Sequence, residues 1–283
     1  MTTQTPEARA HLHEMWASVA HSWERHAAYS DARGAVAAER MLELTTPRRG
    51  ERVLELACGP GGLGLAAAAR VAPDGEVVLS DVAAEMAAIA RARAEALGLD
   101  NVSVAQLDFE SIAEPDRSYD VVLCREGLMF ALDPAQAVAE IRRVLRPGGR
   151  VALAVWGPRD RNPWLGLVLD AVSAQMGTPI PPAGVPGPFS LSDAAGLAAL
   201  LTDSGLGDVA VAECPAPLHA DTVDEWWERT SALAGPLARL LASMSPDGAR
   251  ELRTRAAEAV APYEGPGGLD FPGVTLIASA RRD

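Results

Sequence analysis

At 283 residues the chain exceeds what one minimal domain needs, and one α/β core with helical additions is expected rather than two independent domains. The formal net charge of −13 disfavours nucleic acid or an anionic membrane surface as partner. All 25 basic residues are arginine, which excludes a Walker-type phosphate lysine, a Schiff-base lysine and a lysine general base.

In chain order, residues 1–10 read as disordered, and two helices are expected over 11–28 and 35–44. Pro47-Arg48-Arg49-Gly50 is a turn into the first strand. Strands and helices then alternate: strand 53–57, helix 62–70, strand 76–80, helix 84–97, strand 102–106, strand 120–124, helix 134–145 and strand 150–156. Alternation of this kind predicts a mostly parallel sheet covered on both faces, with ligands beyond the carboxyl ends of its strands. Glu55, Asp81, Asp108 and Cys124 all fall at such ends, so one crevice is expected to collect them. After Trp156 a Pro/Gly-rich stretch carries a helix over 164–176. A helix over 192–204 follows, with Ser192 or Asp193 as N-cap, then strand 209–214. Residues 222–261 read as helical, broken near Gly235-Pro236 and Ser245-Pro246, and 274–280 is the last strand, expected to be antiparallel. The divisions are an N-terminal helical cap (1–46), a cofactor-binding α/β core (47–157) and a lid insertion (158–190). A core helix and strand (191–216), a helical insertion (217–268) and the last core strand (269–283) complete the chain.

The segment Val53-Leu54-Glu55-Leu56-Ala57-Cys58-Gly59-Pro60-Gly61-Gly62-Leu63-Gly64 runs from an apolar strand through a glycine-rich turn into a helix. Glycines there let a cofactor approach the backbone, and the helix start offers free N–H groups. Gly59-x-Gly61-x-x-Gly64 satisfies the dinucleotide fingerprint, and Asp81 supplies the ribose acid about 20 residues on. Ribose recognition is shared by nucleotide classes, so Asp81 does not separate them. Glu55 does: a carboxylate before the turn repels a pyrophosphate and attracts the sulfonium and ammonium of S-adenosylmethionine.

Glu55-x-x-Cys58-Gly59-x-Gly61 resembles the first motif of the class I S-adenosylmethionine-dependent methyltransferases. Asp81-Val82-Ala83-Ala84-Glu85-Met86 is similar to the second and Leu107-Asp108-Phe109 to the third. Tyr119-Asp120-Val121-Val122-Leu123-Cys124-Arg125 is similar to the fourth strand and its end, and Val144-Leu145-Arg146-Pro147-Gly148-Gly149 to the turn before the fifth. The likeness is to the small-molecule branch that includes the ubiquinone/menaquinone-biosynthesis methyltransferases, and it covers about residues 15–215. It implies a Rossmann-like, mostly parallel seven-stranded sheet with an antiparallel last strand, plus helical lid insertions. It implies S-adenosylmethionine as cofactor and S-adenosylhomocysteine as product. Asp81 would hold the ribose hydroxyls, Val82 and Met86 would pack on adenine, and Asp108, beside Phe109, would lie near the adenine amino group. Trp16, Trp23 and Tyr29 resemble aromatic positions that cap the methionine part, although helical spacing suits Trp16 and Trp23 equally to a core. The family joins its last two strands by a short hairpin; here about 60 residues intervene, a length that suits a lid or binding surface.

Methyl transfer from a sulfonium is an in-line displacement, and a general base is needed only for a protonated, weakly acidic nucleophile. The candidates are His21 and His26 on the N-terminal helix and Glu126 after the fourth strand; His11, His13 and His219 are less well placed. Each histidine also reads as an ordinary surface or hydrogen-bonded residue, and Arg125-Glu126 as a structural ion pair. Cys58 and Cys124 read as small buried residues beside the cofactor, and with Cys214 they show neither disulfide nor metal-site spacing. Of the adjacent Trp226 and Trp227, at least one is expected to line a cavity or an interface, and exposed tryptophan-rich helices would suit a homodimer. No apolar leader or membrane span is evident, so a cytoplasmic protein acting on a small apolar or aromatic metabolite is expected. The competing functions are an NAD(P)-dependent oxidoreductase, a methyltransferase-like fold that binds cofactor without methylating, and a nucleic-acid methyltransferase. The last lacks the Asn/Asp-Pro-Pro-Tyr sequence after its fourth strand; Cys124-Arg125-Glu126-Gly127 stands there.

Overall fold

The computed structural model describes residues 6–283. The chain opens with helices α1 (Pro6–Arg25) and α2 (Ala27–Thr45). The alternating region follows as β1 (Arg52–Leu56), α3 (Gly62–Val71), β2 (Glu76–Asp81), α4 (Ala84–Ala96), β3 (Val102–Gln106), β4 (Tyr119–Arg125), α5 (Pro134–Val144) and β5 (Leu145–Trp156). Helices α6 (Pro163–Met176) and α7 (Ala194–Asp203) lead into β6 (Gly207–Pro215). Between β6 and the last strand lie β7 (Leu218–Ala220), α8 (Val223–Leu233), α9 (Gly235–Ser243), α10 (Pro246–Val260), β8 (Glu264–Gly265) and β9 (Gly268–Phe271). Strand β10 (Val274–Arg281) closes the fold.

The main sheet has seven strands in the order β3-β2-β1-β4-β5-β10-β6. The chain steps outward from β1 to β2 to β3, then returns to place β4 on the other side of β1. Strand β10 runs antiparallel to both its neighbours, whereas the β1, β2, β3, β4 and β5 pairings are parallel. Alternate strand residues feed opposite faces, as the pleat requires. Leu54, Val122 and Leu153 join one core under α5, α6 and α7, whereas Val53, Val121 and Ala152 join the other under α2, α3 and α4. Burial on both faces explains why these strands read as continuous apolar runs.

Four expectations need correction. Disorder over 1–10 does not extend to residues 6–10, which open α1; residues 1–5 lie outside the described region. The second helix starts at Ala27, not 35, because Ser30, Asp31 and Gly34 are absorbed into one alanine-rich run. The 217–268 insertion is not purely helical: β7, β9 and β8 form a separate three-stranded sheet. Leu218 pairs with Phe271 across that insertion, and segments of two to four residues show too little period to announce such pairing. The tryptophans also turn inward. Trp226 is 1% exposed and donates its indole N–H to the Trp164 carbonyl at 3.1 Å, while Trp227 packs half-buried against the same core. The exposed tryptophan-rich face that suggested a homodimer is therefore not there.

Fully buried Asn162 joins the β5–α6 connection to the start of β10. Its amide donates to the carbonyls of Gly157 (3.2 Å), Pro158 (3.1 Å) and Val274 (3.0 Å), and its carbonyl accepts the Val274 N–H at 3.1 Å. Asn162→Ala leaves the Gly157 carbonyl and the Val274 N–H enclosed without these partners, at about 1–3 kcal/mol for each, whereas the Val274 and Pro158 carbonyls still accept the Gly157 and Arg161 N–H groups. Urea denaturation is expected to give a midpoint well below wild type, and an unchanged midpoint would show that water replaces the amide.

Candidate active site

The strand-order reversal opens a crevice above the carboxyl ends of β1 and β4. It holds about 980 Å³ of empty space, counting its mouth. Its floor is the β1–α3 turn, where Ala57, Gly59 and Gly61 all have positive φ. Gly61 precedes α3 in the left-handed conformation at φ 86°, and its N–H donates to the Cys58 carbonyl at 2.8 Å. The third glycine is needed for space: a Cβ on Gly64 would lie 2.6 Å from Glu55 Oε2 and 2.2 Å from a Leu79 methyl. That close approach lets the Gly64 N–H donate to Glu55 Oε2 at 2.8 Å.

Glu55 is 2% exposed, with no ion pair within 4.0 Å among the described residues. Burial pushes its carboxyl up to about 8; Arg125 and the Gly64 N–H oppose this, while Asp31 and Asp81 add to it. Asp81 at the end of β2 accepts the Gly59 N–H at 2.9 Å and the Ala83 N–H at 3.0 Å. Burial raises its carboxyl too, against the donated Ala83, Gly59 and Val82 N–H groups. Past β3, Asp108 accepts the Glu110 N–H at 2.8 Å and the Arg9 guanidinium at 3.1 Å. Arg9 also donates to buried Glu110 at 2.8 Å, so the first turn of α1 is strapped across the crevice rim.

The crevice walls include Trp23, Glu55, Cys58, Gly59, Asp81, Val82, Met86, Asp108, Phe109, Arg125 and Glu126. Other expected residues fall elsewhere. Gly61 lies beneath the turn against Leu79 and Ala90. Cys124 is fully enclosed in the core under Gly127, and burial holds its thiol near 12. The Cys58 thiol is also pushed well above its ordinary value by burial, so both cysteines behave as small protonated core residues. Tyr29 faces a second cavity, where the Arg229 guanidinium lies 4.3 Å over its ring.

Neither histidine proposed as base reaches the crevice wall. Arg9, Leu12, His13, Trp16 and Trp23 share the inward stripe of α1, which places His21 on the opposite side with its side chain 87% exposed beside Glu24. His26 occupies the break between α1 and α2, 3.6 Å from Glu228, and burial lowers its pKa. His13, ranked behind them by sequence, lines the crevice 3.9 Å from Asp108. The helical period carries that signal, since His13 lies three residues before Trp16 on the same helix. Glu126 stays at the site, in a left-handed conformation at φ 59° that a non-glycine residue adopts only when its surroundings impose it. Among the described residues no ion pair joins it to Arg125, so the expected structural pairing is not formed.

A second cavity of about 790 Å³ adjoins the crevice under α1, α2, α6 and α8. Trp16, Trp23, Ser30, Arg125, Glu126 and Phe130 belong to the walls of both. Trp16 meets Phe130 edge-on at 4.9 Å, and Trp23 donates its indole N–H to the Leu233 carbonyl of α8 at 3.1 Å. Trp156, Trp164 and Arg33 line it and not the crevice; of these, Arg33 gave no sequence signal. No helix among the described residues is long and apolar enough to cross a membrane.

The comparisons with known proteins agree with this geometry. Residues 47–163 match the family model described as a methyltransferase domain. The chain is 38% identical over 133 residues to the ubiquinone/menaquinone biosynthesis C-methyltransferase UbiE of Ectopseudomonas mendocina, covering 47% of this chain and 52% of that one. Its identity to the UbiE of Azotobacter vinelandii is 37% over 133 residues, covering 47% and 52%. The chain spans about half the length of the curated relatives it matches. Among solved structures, the YcgJ protein of Bacillus subtilis superposes with a TM-score of 0.59 at 23% identity, covering 87% of this chain and 98% of its own. The [4+2]-cyclase SpnF gives 0.56 at 22% identity, covering 87% and 80%; both likenesses concern the fold. Residues 47–163 thus match a methyltransferase domain, on a fold shared with these solved structures. The sequence resembles the UbiE enzymes, and S-adenosylmethionine is the cofactor that belongs with the domain.

The two raised carboxyls set a pH dependence. A proton held by the folded state but released by the unfolded chain makes stability fall as pH rises between the two pKa values. For Glu55 that window runs from 4.5 to about 8. Paired carboxylates such as Glu140, held down chiefly by its bond to Arg143, act below it. Glu55→Gln removes one titrating group, and urea unfolding across the window is expected to show a flatter stability curve than wild type. Parallel curves would mean that Glu55 is ionised in the folded protein.

Proposed function

We propose that this protein transfers the methyl group of S-adenosylmethionine to a small molecule held in the second cavity. The observation that carries the reading is Glu55, a buried carboxyl without an ion pair at the head of the glycine turn, which a bound cation would ionise. A pyrophosphate would meet its repulsion, whereas an ammonium would supply the missing positive charge. This disfavours the NAD(P)-dependent oxidoreductase, although the turn and Asp81 would otherwise suit it.

The bound cofactor supplies an activated methyl group on a sulfonium, and the chain's residues position and enclose it. Glu55 receives the ammonium, Asp81 the ribose hydroxyls, and Val82 and Met86 the faces of the adenine. Asp108 is placed for the adenine amino group on releasing Arg9. Trp16, Trp23 and Phe130 form the neck between the two cavities, where aromatic faces favour a cation and exclude water. Alignment of two reactants in such a neck is worth about 7–11 kcal/mol of the barrier. Glu126 borders the same neck and is the residue best placed to accept a proton from the acceptor atom; His21 and His26 are set aside for this role. The acceptor is apolar or aromatic, because tryptophans wall the second cavity. A methyltransferase-like fold put to another reaction is the second reading, since the SpnF structure is titled a cyclase.

Calorimetric titration with S-adenosylhomocysteine tests the proposal, with NAD(P) as control. Wild type is expected to bind S-adenosylhomocysteine, and Asp81→Ala to bind it at least tenfold more weakly. Failure of wild type to bind, or preference for NAD(P), would overturn the reading. Recovery of S-adenosylhomocysteine from S-adenosylmethionine with a true acceptor separates methyl transfer from the cyclase-like alternative. The Glu55 carboxyl must lose its proton on receiving the ammonium, so cofactor binding near neutral pH is expected to release protons. Titration in buffers of different ionisation enthalpy measures that release, and Glu55→Gln is expected to abolish it.

A further inference from the structure

The second cavity contains a charge that the protein leaves uncompensated. Arg33 projects from α2 into its wall, with the guanidinium carbon 4.0 Å from the centre of the Trp164 ring and 4.7 Å from that of Trp156. Its Nε and Nη2 are enclosed and have no hydrogen-bond partner. The exposure remaining to the residue as a whole lies on its other atoms. Among the described residues no carboxylate lies within 4.0 Å of it. Buried guanidinium groups are ordinarily paired, because the desolvation cost is otherwise unrelieved. Two tryptophan faces recover part of that cost, but they satisfy none of the N–H donors.

The neighbouring charges sharpen the point. Arg125 reaches the same cavity with its own Nε unpartnered, passing through space that only Gly34 leaves open. A Cβ at position 34 would lie 1.6 Å from Arg125 Nη1. Arg229 is neutralised by Glu225. Glu126 is the one carboxylate among the residues lining this cavity, and Arg125 also faces Glu55 in the crevice, which leaves Arg33 short of a counter-charge of its own. Burial lowers the Arg33 pKa, with Tyr29 and Glu126 opposing and Arg125 assisting, yet arginine holds its proton at any ordinary pH.

We infer that the acceptor is an apolar or aromatic molecule bearing one carboxylate, and that Arg33 anchors that carboxylate while the rest of the molecule reaches the neck. This rests on the methyltransferase reading and names the substrate class of the same site. Nε and Nη2 share one edge of the planar guanidinium, and their spacing matches the two oxygens of a carboxylate. One negative charge balances the cavity, whereas a phosphate dianion would overshoot it. The two tryptophans, edge-to-face with ring centroids 5.2 Å apart, flank the guanidinium on neighbouring sides and continue as walls for an apolar body. Arg33 lines this cavity and not the crevice, so anchoring there keeps the carboxylate in the acceptor's chamber.

The probes are naphthalene-2-carboxylate, its carboxamide and 2-naphthyl phosphate, titrated into the full chain with and without S-adenosylhomocysteine. Wild type is expected to bind the carboxylate at least tenfold more tightly than the carboxamide and more tightly than the phosphate. Arg33→Gln is expected to lose at least tenfold for the carboxylate, with carboxamide and S-adenosylhomocysteine affinities unchanged. Arg33→Lys, which keeps the charge but not the planar fork, is expected to fall between. Equal affinity for carboxylate and carboxamide, binding of neither at millimolar concentration, preference for the phosphate, or full carboxylate affinity in Arg33→Gln would each overturn the inference. Near-UV circular dichroism reports whether Arg33→Gln is folded, and if it is not, the wild-type comparison of the three probes decides alone. S-adenosylhomocysteine that fails to bind while the carboxylate preference persists would sink the methyltransferase reading and leave the anion site standing.

Discussion

Everything in this molecule hangs on the double pairing of β1. Its residues Val53, Leu54 and Glu55 are in register with β2 on one side and β4 on the other, and both partners run parallel to it. Parallel neighbours demand crossovers, and crossovers in opposite directions leave the ends of β1 and β4 without a covering connection. The crevice is the unavoidable gap that results. The glycine turn, Glu55 and Arg125 stand around it because they end those two strands. A slip of one residue in β1 would reverse its faces, taking Leu54 out of one core and Val53 out of the other.

Around this gap the protein buries ionisable groups that folding alone would not retain. Glu55 sits at the crevice as a carboxyl that burial pushes up to about 8, and Arg33 lines the adjoining cavity as a desolvated cation without an ion pair. One is an acid and the other a base, and they line separate chambers. A structure selected only for stability would have paired or replaced them. Their separation therefore suits two different guests, one bringing a cation and the other an anion.

The parts legible in the sequence were those written in local pattern. The alternating strands and helices from Val53 to Trp156 announced themselves by apolar runs punctuated with glycine, and Glu55, Asp81 and Asp108 could be assigned to strand ends because each follows such a run. The turns of α1 were harder: a start at 11 in place of Pro6 left Arg9 outside the expected helix, and His13, inside it, was passed over although it lies three residues before Trp16 on one face. His21 looked accessible for chemistry because it shares a helix with Trp23, yet two residues along a helix is half a turn too far. Arg33 had no sequence signature, since its isolation is created by α2, β5 and α6 meeting across more than a hundred residues of chain. The small sheet of β7, β8 and β9 was invisible for the same reason.

The wall shared by the two chambers has a thermodynamic corollary. Trp16, Trp23, Ser30, Arg125, Glu126 and Phe130 each present a surface to both sides, so a ligand that orders them on one side has already met part of the ordering cost on the other. On the proposed assignment of the two chambers, cofactor and acceptor would be coupled in their affinities, and such coupling is reciprocal: whatever factor the first confers on the second, the second returns. Trp23, tied to α8 through the Leu233 carbonyl, extends that linkage to the insertion that distinguishes this chain from a bare α/β core.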